Sequence, residues 1–148
     1  MKSSYTKNLP LQELACTAGL IDGEGCIAIN KVTQKSYKRL GFQLRISVCM
    51  THEPTVRRLH EFFGGSFCRT PRERRKTAYQ WAQSANGALD TIKILRPWLM
   101  VKEPQAIIAL RFQENRSTNK TDVEWQREYE MYQEMAELNR RWSVEDAN

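Results

Sequence analysis

The most regular alternation of apolar and polar positions lies over residues 42–50. Phe42, Leu44, Ile46, Val48 and Met50 alternate with Gln43, Arg45, Ser47 and Cys49, the period of a strand with one core face and one polar face. A shorter alternation over 26–31 sets Ile27 and Ile29 against Cys26, Ala28 and Asn30 and predicts a strand before it. The stretch 33–39 between them is a polar, basic connection. Ahead of both, the apolar, small-residue stretch 9–22 predicts a helix, with Asn8 as cap, Pro10 in the first turn and Gly23 and Gly25 at its end. After the long strand, Thr51 caps a helix that reaches Phe63, with Pro54 in its first turn and Gly64-Gly65 as its stop. A hairpin with arms 66–72 and 77–84 follows, Tyr79 and Trp81 sharing one face and Gln80 the other. Helices over 86–95, 104–115 and 122–142 complete the pattern. Helix, two strands, helix, two strands, then helices is an α+β arrangement, an antiparallel sheet covered on one face by helices. With no internal repeat, 148 residues predict one domain over 1–148 with a core of its own.

Charge adds a direction to this scaffold. Residues 1–111 hold 18 Lys/Arg against 8 Asp/Glu, whereas 112–148 hold 5 against 9. Between Lys31 and Lys76 there are 12 basic and 3 acidic residues. A basic middle of this density points to a polyanion, nucleic acid first, while the acidic last helix faces away from it. The polar sheet positions Asn30, Gln43, Arg45, Ser47, Arg69 and Gln80 suit major-groove reading, because Arg pairs bidentately with guanine and Asn or Gln with adenine. Lys31, Lys35, Lys38, Arg39, Arg72, Arg74, Arg75 and Lys76 suit phosphates, which give affinity without sequence reading.

Four cysteines, Cys16, Cys26, Cys49 and Cys68, show no C-x-x-C pair and are expected as free thiols in or near packed surfaces. Cys49, His52, His60 and Cys68 lack the paired spacing that structural zinc sites favour. No apolar run nears membrane-spanning length and no secretory signal opens the chain, so the expectation is an intracellular protein of a reducing compartment, cytoplasm or organelle, with no membrane partner.

The most informative stretch is 17–25, T-A-G-L-I-D-G-E-G. Ala15, Gly19 and Gly23 are four apart, so they share a helix face and let another backbone approach. Asp22 and Glu24 fall at the helix's C-terminal end, where the macrodipole disfavours negative charge and a carboxylate wants a basic side chain or a metal ion. The stretch resembles the signature of the LAGLIDADG homing endonucleases, with Thr17, Gly23 and Glu24 standing for Leu, Ala and Asp.

The resemblance implies an αββαββα fold whose saddle-shaped antiparallel sheet straddles double-stranded DNA. One motif and no repeat imply a homodimer through helix 1, with Ala15, Ala18, Gly19 and Asp22 at the seam and a long pseudo-palindromic target. Two strands of nine residues, one per subunit, would cover about 20 base pairs between them. Pairing brings two Glu24 carboxylates to the axis, where like charges require cations. By resemblance Glu24 is the metal ligand, the Gly23 carbonyl a second ligand, and magnesium the ion, with manganese substituting and calcium binding without supporting cleavage. Lys102, in P-W-L-M-V-K, matches a lysine that such enzymes use near the transition state. His52 falls where relatives often carry Gln, so its role stays open among positioning water, taking a proton and capping a helix. Arg57 is a basic neighbour of the site on the same resemblance. The implied activity is intron homing by cutting both strands across the minor groove, leaving short 3′ overhangs. Two other classes stand beside it: a non-cleaving binder on the same fold, either an intron-RNA maturase or a DNA-binding regulator, and an unrelated basic RNA binder with a chance motif.

Overall fold

A computed structural model describes residues 8–33, 40–114, 116–117 and 120–145, with backbone alone at 141–145. The order is α1 (Leu11–Glu24), β1 (Gly25–Val32), β2 (Gly41–Met50), α2 (Glu53–Phe63), β3 (Ser66–Thr70), β4 (Ala78–Ser84), α3 (Ala85–Leu95), a 3-10 turn (Arg96–Trp98), α4 (Glu103–Glu114) and α5 (Asp122–Glu145). The four strands form one antiparallel sheet in the order β1-β2-β4-β3. Each hairpin pairs with itself, and β2 joins β4 at the centre, Val48 opposite Trp81. This is the α+β architecture that the pattern predicts, with helices packed on one face.

The register decides what that face carries. Ile27 opposes Ile46 and Ile29 opposes Leu44, and Trp81 and Phe42 complete a layer closed from water. Val56, Leu59 and Phe63 of α2 and Ala88, Ile92 and Leu95 of α3 pack onto it, as do Ala106 and Ala109 of α4. Each large side chain buried here contributes about 1.5–3 kcal/mol. Trp81 has a polar obligation as well, and its Nε1 donates to the Gly64 carbonyl at 2.8 Å. That bond ties the end of α2 to β4, at a Gly64-Gly65 turn whose φ values of 74° and 84° only glycine adopts freely. Beside it, Gln83 donates to the Phe63 carbonyl and accepts from Thr91, so a buried amide is satisfied from two helices.

Several element ends differ from the sequence reading. The N-cap of α1 is Pro10, not Asn8, and its carbonyl takes the first helical N–H groups. The helix passes through Gly23 to Glu24 and ends at Gly25, whose N–H still reaches the Ile21 carbonyl. A Cβ on Gly25 would stand 2.8 Å from the Ile21 Cα and carbonyl oxygen, so only glycine lets β1 leave this close to the helix. His52, rather than Thr51, precedes α2. Ala85 begins α3 with φ 52°, one residue before Asn86.

The acidic α5 lies across the sheet's β1–β2 side. Trp125, Tyr129 and Tyr132 gather around Phe42, with ring centroids 5.4–6.2 Å from it. Trp125 Nε1 donates to the Leu40 carbonyl, and Asn139 to that of Ile27. Glu128, 6% exposed, receives Arg116 at 3.0 Å and Lys120 at 2.7 Å. These aromatics are partly buried and pack against the core. No described helix is long and apolar enough to cross a membrane.

Candidate active centre and nucleic-acid interface

The two acids at the end of α1 have separate fates. Asp22 turns inward and accepts three backbone N–H groups, from Met100 at 2.8 Å, Val101 at 3.1 Å and Lys102 at 2.9 Å. Lys102 returns the contact, its ammonium donating to the Asp22 carbonyl at 2.9 Å. A lysine on an orphan carbonyl at a helix C-terminus is favoured by both hydrogen bonding and the macrodipole. Asp22 is therefore a clasp within the chain, and the cation expected near it is Lys102 on the backbone rather than a metal on the carboxylate. Glu24, one turn-end further on, is exposed.

Register brings His52 to the same end of the sheet. Gly25 opposes Val48, so the chain leaving β2 after Met50 emerges beside the α1–β1 joint that carries Glu24. His52 is exposed, and its Nδ1 lies 2.7 Å from the Thr55 hydroxyl. Arg57 is not brought to Glu24. Its guanidinium bonds Glu53 at 2.6 Å and lies 4.7 Å over the ring of Phe67, on β3 at the sheet edge opposite β1. The Arg57 hydrogen bond, reinforced by its charge, by Tyr79 and by the charge of Arg69, holds the Glu53 carboxyl below its ordinary range.

Among the described residues no three His, Cys, Asp or Glu side chains cluster as a metal site. Cys49 and Cys68 sit on the open sheet face while His60 packs against Phe67 on the other, which separates the four residues once weighed for zinc. The donors at the end of α1 are oxygens, the exposed Glu24 carboxylate and the Gly23 carbonyl. They fit a hard divalent ion, provided that further oxygens come from outside a single chain.

The helix-1 seam is only partly as expected. Ala15, Cys16, Gly19 and Gly23 are exposed along one face, and a Cβ on Gly19 or Gly23 would meet nothing within 4 Å. Ala18 faces the other way and is fully buried with Ile21, because it lies one residue, about 100° of helix, from Gly19. It is a core residue and cannot line the seam. Met100, 84% exposed, and Val101, 45%, extend apolar surface from the seam over the loop that Asp22 holds.

The open sheet face carries Asn30 opposite Gln43, Ala28 opposite Arg45, and Cys26 opposite Ser47. Gln80 stands between Cys49 and Cys68. Arg69, predicted for this face, falls on the helix side instead, as does Lys31, predicted to contact phosphate. Arg69 pairs with Tyr79 and shares the parity of Phe67, and Lys31 shares that of Ile29, its ammonium 5.1 Å over the Tyr132 ring. In a strand, odd and even positions point to opposite faces, so neither reaches the polar face. At the hairpin tip Arg72, Arg74, Arg75 and Lys76 are exposed, Arg72 stapling the turn through two bonds to the Lys76 carbonyl. Lys35, Lys38 and Arg39 lie outside the described residues. All four cysteines are exposed, against the expectation of packed thiols. The alternation that set Cys26 and Cys49 on the polar side of their strands was the signal for it.

A family model for LAGLIDADG endonucleases matches residues 17–103, more than half of the chain. The chain belongs to the LAGLIDADG endonuclease family. Its fold is also that of solved homing endonucleases. It superposes on I-CvuI, solved with the I-CreI target, with a TM-score of 0.72 at 21% identity, covering 86% of this chain and 82% of that one. For the archaeal intron-encoded I-Vdi141I, solved with DNA, the values are 0.73, 14%, 86% and 84%. For I-TnaI they are 0.66, 17%, 88% and 96%. No curated protein sequence matches the chain.

Proposed function

We propose that the chain is a homodimeric, magnesium-dependent, site-specific endonuclease of double-stranded DNA. The observation that carries this reading is the open face of α1. Glycine inside a helix costs about 1 kcal/mol relative to alanine, and among the described residues nothing lies against Gly19 or Gly23 to require it. A second helix 1 packed there gives those glycines a reason, and it brings two exposed Glu24 residues to one axis. Each Glu24 carboxylate, with the Gly23 carbonyl, would hold magnesium, and manganese would substitute. The ion supplies Lewis acidity at the scissile phosphate and an activated water.

The chain's own residues do the remaining work. Lys102, held on the end of α1 by the Asp22 clasp, would place positive charge where the phosphate gains negative charge. His52, at the same sheet end, positions water or accepts its proton. The open face with Asn30, Gln43, Arg45, Ser47 and Gln80 reads base edges, and the tip with Arg74, Arg75 and Lys76 contacts phosphate. Two-fold pairing implies a pseudo-palindromic site cut in both strands with short 3′ overhangs. Solved neighbours include complexes of homing endonucleases with their DNA targets, one with magnesium and uncleaved DNA and one with calcium, which supports a duplex partner and a divalent ion here.

The test is cleavage of a randomised duplex library with magnesium, calcium or chelator, by wild type and Glu24→Gln. Discrete, two-fold-symmetric cuts that need magnesium and vanish in the variant are expected. Binding without cutting under every condition would replace this reading with a maturase or a regulator.

A further inference from the structure

Three of the four exposed thiols share the open face of the sheet. Cys49 and Cys68 flank Gln80 on either side, and Cys26 stands opposite Ser47, one step along. Ser47, Ser66, Gln80 and Ala82 lie around them, and two charged groups border the patch: Arg45 is diagonal to Cys26, and Glu24 is two residues before it. None of these thiols can reach another. Cys49 and Cys68 are two strands apart, about 9–10 Å. Cys26 and Cys49 are diagonal neighbours, roughly 7–8 Å between Cα atoms, beyond the span of a disulfide. A thiol here that is oxidised must take its partner from solution.

We propose that Cys26, Cys49 and Cys68 are modification sites for a small-molecule disulfide such as oxidised glutathione, and that their mixed disulfides close the sheet face to DNA. The inference rests on that face being the DNA-reading surface. In the step, a cysteine sulfur attacks one sulfur of the oxidant, whose S–S bond breaks. A new S–S bond joins protein and glutathionyl group, and the second glutathione leaves as a thiol with the cysteine's proton. The cysteine is oxidised, one glutathione is reduced, and added thiol reverses the reaction. The adduct is a tripeptide with more carboxylates than amines. It stands up from the open sheet face, where it bars a duplex by bulk and repels phosphates by charge. Cys16 lies on the helix-1 seam instead, so its modification bears on pairing rather than on the sheet.

The test compares wild type, Cys16→Ser and, on the Cys16→Ser background, the triple variant Cys26→Ser, Cys49→Ser, Cys68→Ser. Each is measured reduced and after oxidised glutathione, with adducts counted by mass spectrometry and binding to a pooled random duplex measured by fluorescence anisotropy at low salt. The expected result is a tenfold or greater weakening in wild type and Cys16→Ser, reversed by dithiothreitol, and no change in the triple variant, with circular dichroism unaltered throughout. Wild type modified at the three sites that binds as tightly as before overturns the inference alone, as does a triple variant that remains sensitive. Reduced protein that binds no duplex at all overturns both the inference and the DNA reading beneath it.

Discussion

Two carboxylates two positions apart in the sequence do different things because one turns in and the other turns out. Asp22 saturates itself on three backbone N–H groups, and Glu24 stays exposed. Glu24→Gln is expected to abolish cleavage while leaving duplex affinity within about twofold, since a carboxylate near phosphate adds nothing to binding without its metal. Asp22→Ala should cost about 1–3 kcal/mol in urea unfolding, the penalty of stranding partly buried N–H groups. Arg45→Ala should relax base preference at one position by about 1–3 kcal/mol, and Arg75→Ala should reduce the salt slope of binding by about 1 without changing the preferred site. Arg69→Ala should do neither, being on the helix side.

Single residues were the scale at which the sequence was hardest to read. The places of Glu24 at the end of α1 and of the Gln43–Arg45–Ser47 row on the open face were legible because a motif or a strict two-residue alternation fixed them. Ala18 and Arg69 were misplaced by one step of a helical or strand period, and Arg57 by its contact with Phe67. In β3 only five residues form the strand, too few for alternation to announce its parity. Phe67, apolar and two residues before Arg69, was the one signal available.

At the scale of elements, the joint between α1 and β1 bears the tightest constraint. Gly25→Ala forces a methyl group within 2.8 Å of Ile21 backbone, so it should destabilise the isolated fold by about 1–3 kcal/mol. Gly19→Leu should not destabilise the monomer, and by removing a helix-interior glycine should raise its stability by up to about 1 kcal/mol, since its Cβ meets open space; it should shift sedimentation from dimer to monomer. A dimer that survives Gly19→Leu would sink the helix-1 seam. The start of α2 carries a titrating pair. Because Arg57 lowers the Glu53 carboxyl, that pair stabilises above the ordinary carboxylate range and fades as pH falls through the lowered value. Glu53→Gln is therefore expected to flatten the thermal-stability curve on the acid side of the ordinary carboxylate range. The effect should be small and lost in high salt, the carboxyl being in solvent. Element order and type followed from periodicity and turn residues. Their ends did not, because the run past Gly23 depends on how closely β1 can leave the helix.

For the whole molecule, the sheet separates two surfaces of opposite purpose. One face is sealed by five helices among the described residues, with acidic α5 fixed across β1 and β2. The other is open, polar and thiol-bearing, with a basic hairpin tip at its edge. The α+β class was visible from the order of elements, and the open face from one strand. The strand order β1-β2-β4-β3 was not, because no local pattern says which hairpin edges meet at the centre.

The Asp22 clasp has a bearing on how the protein comes into being. Its carboxylate and the Lys102 N–H it binds are 80 positions apart in the chain, so the contact closes a loop of more than half the polypeptide. Contacts of such long sequence separation form late, after local hairpins and helices have reduced the entropy of closure. During synthesis, a ribosome-bound chain that has completed α1 and both hairpins still has no lysine on the end of α1. On the proposed reading, the charge that Lys102 would bring to the cleavage site is thus withheld until the segment before α4 docks on the end of α1.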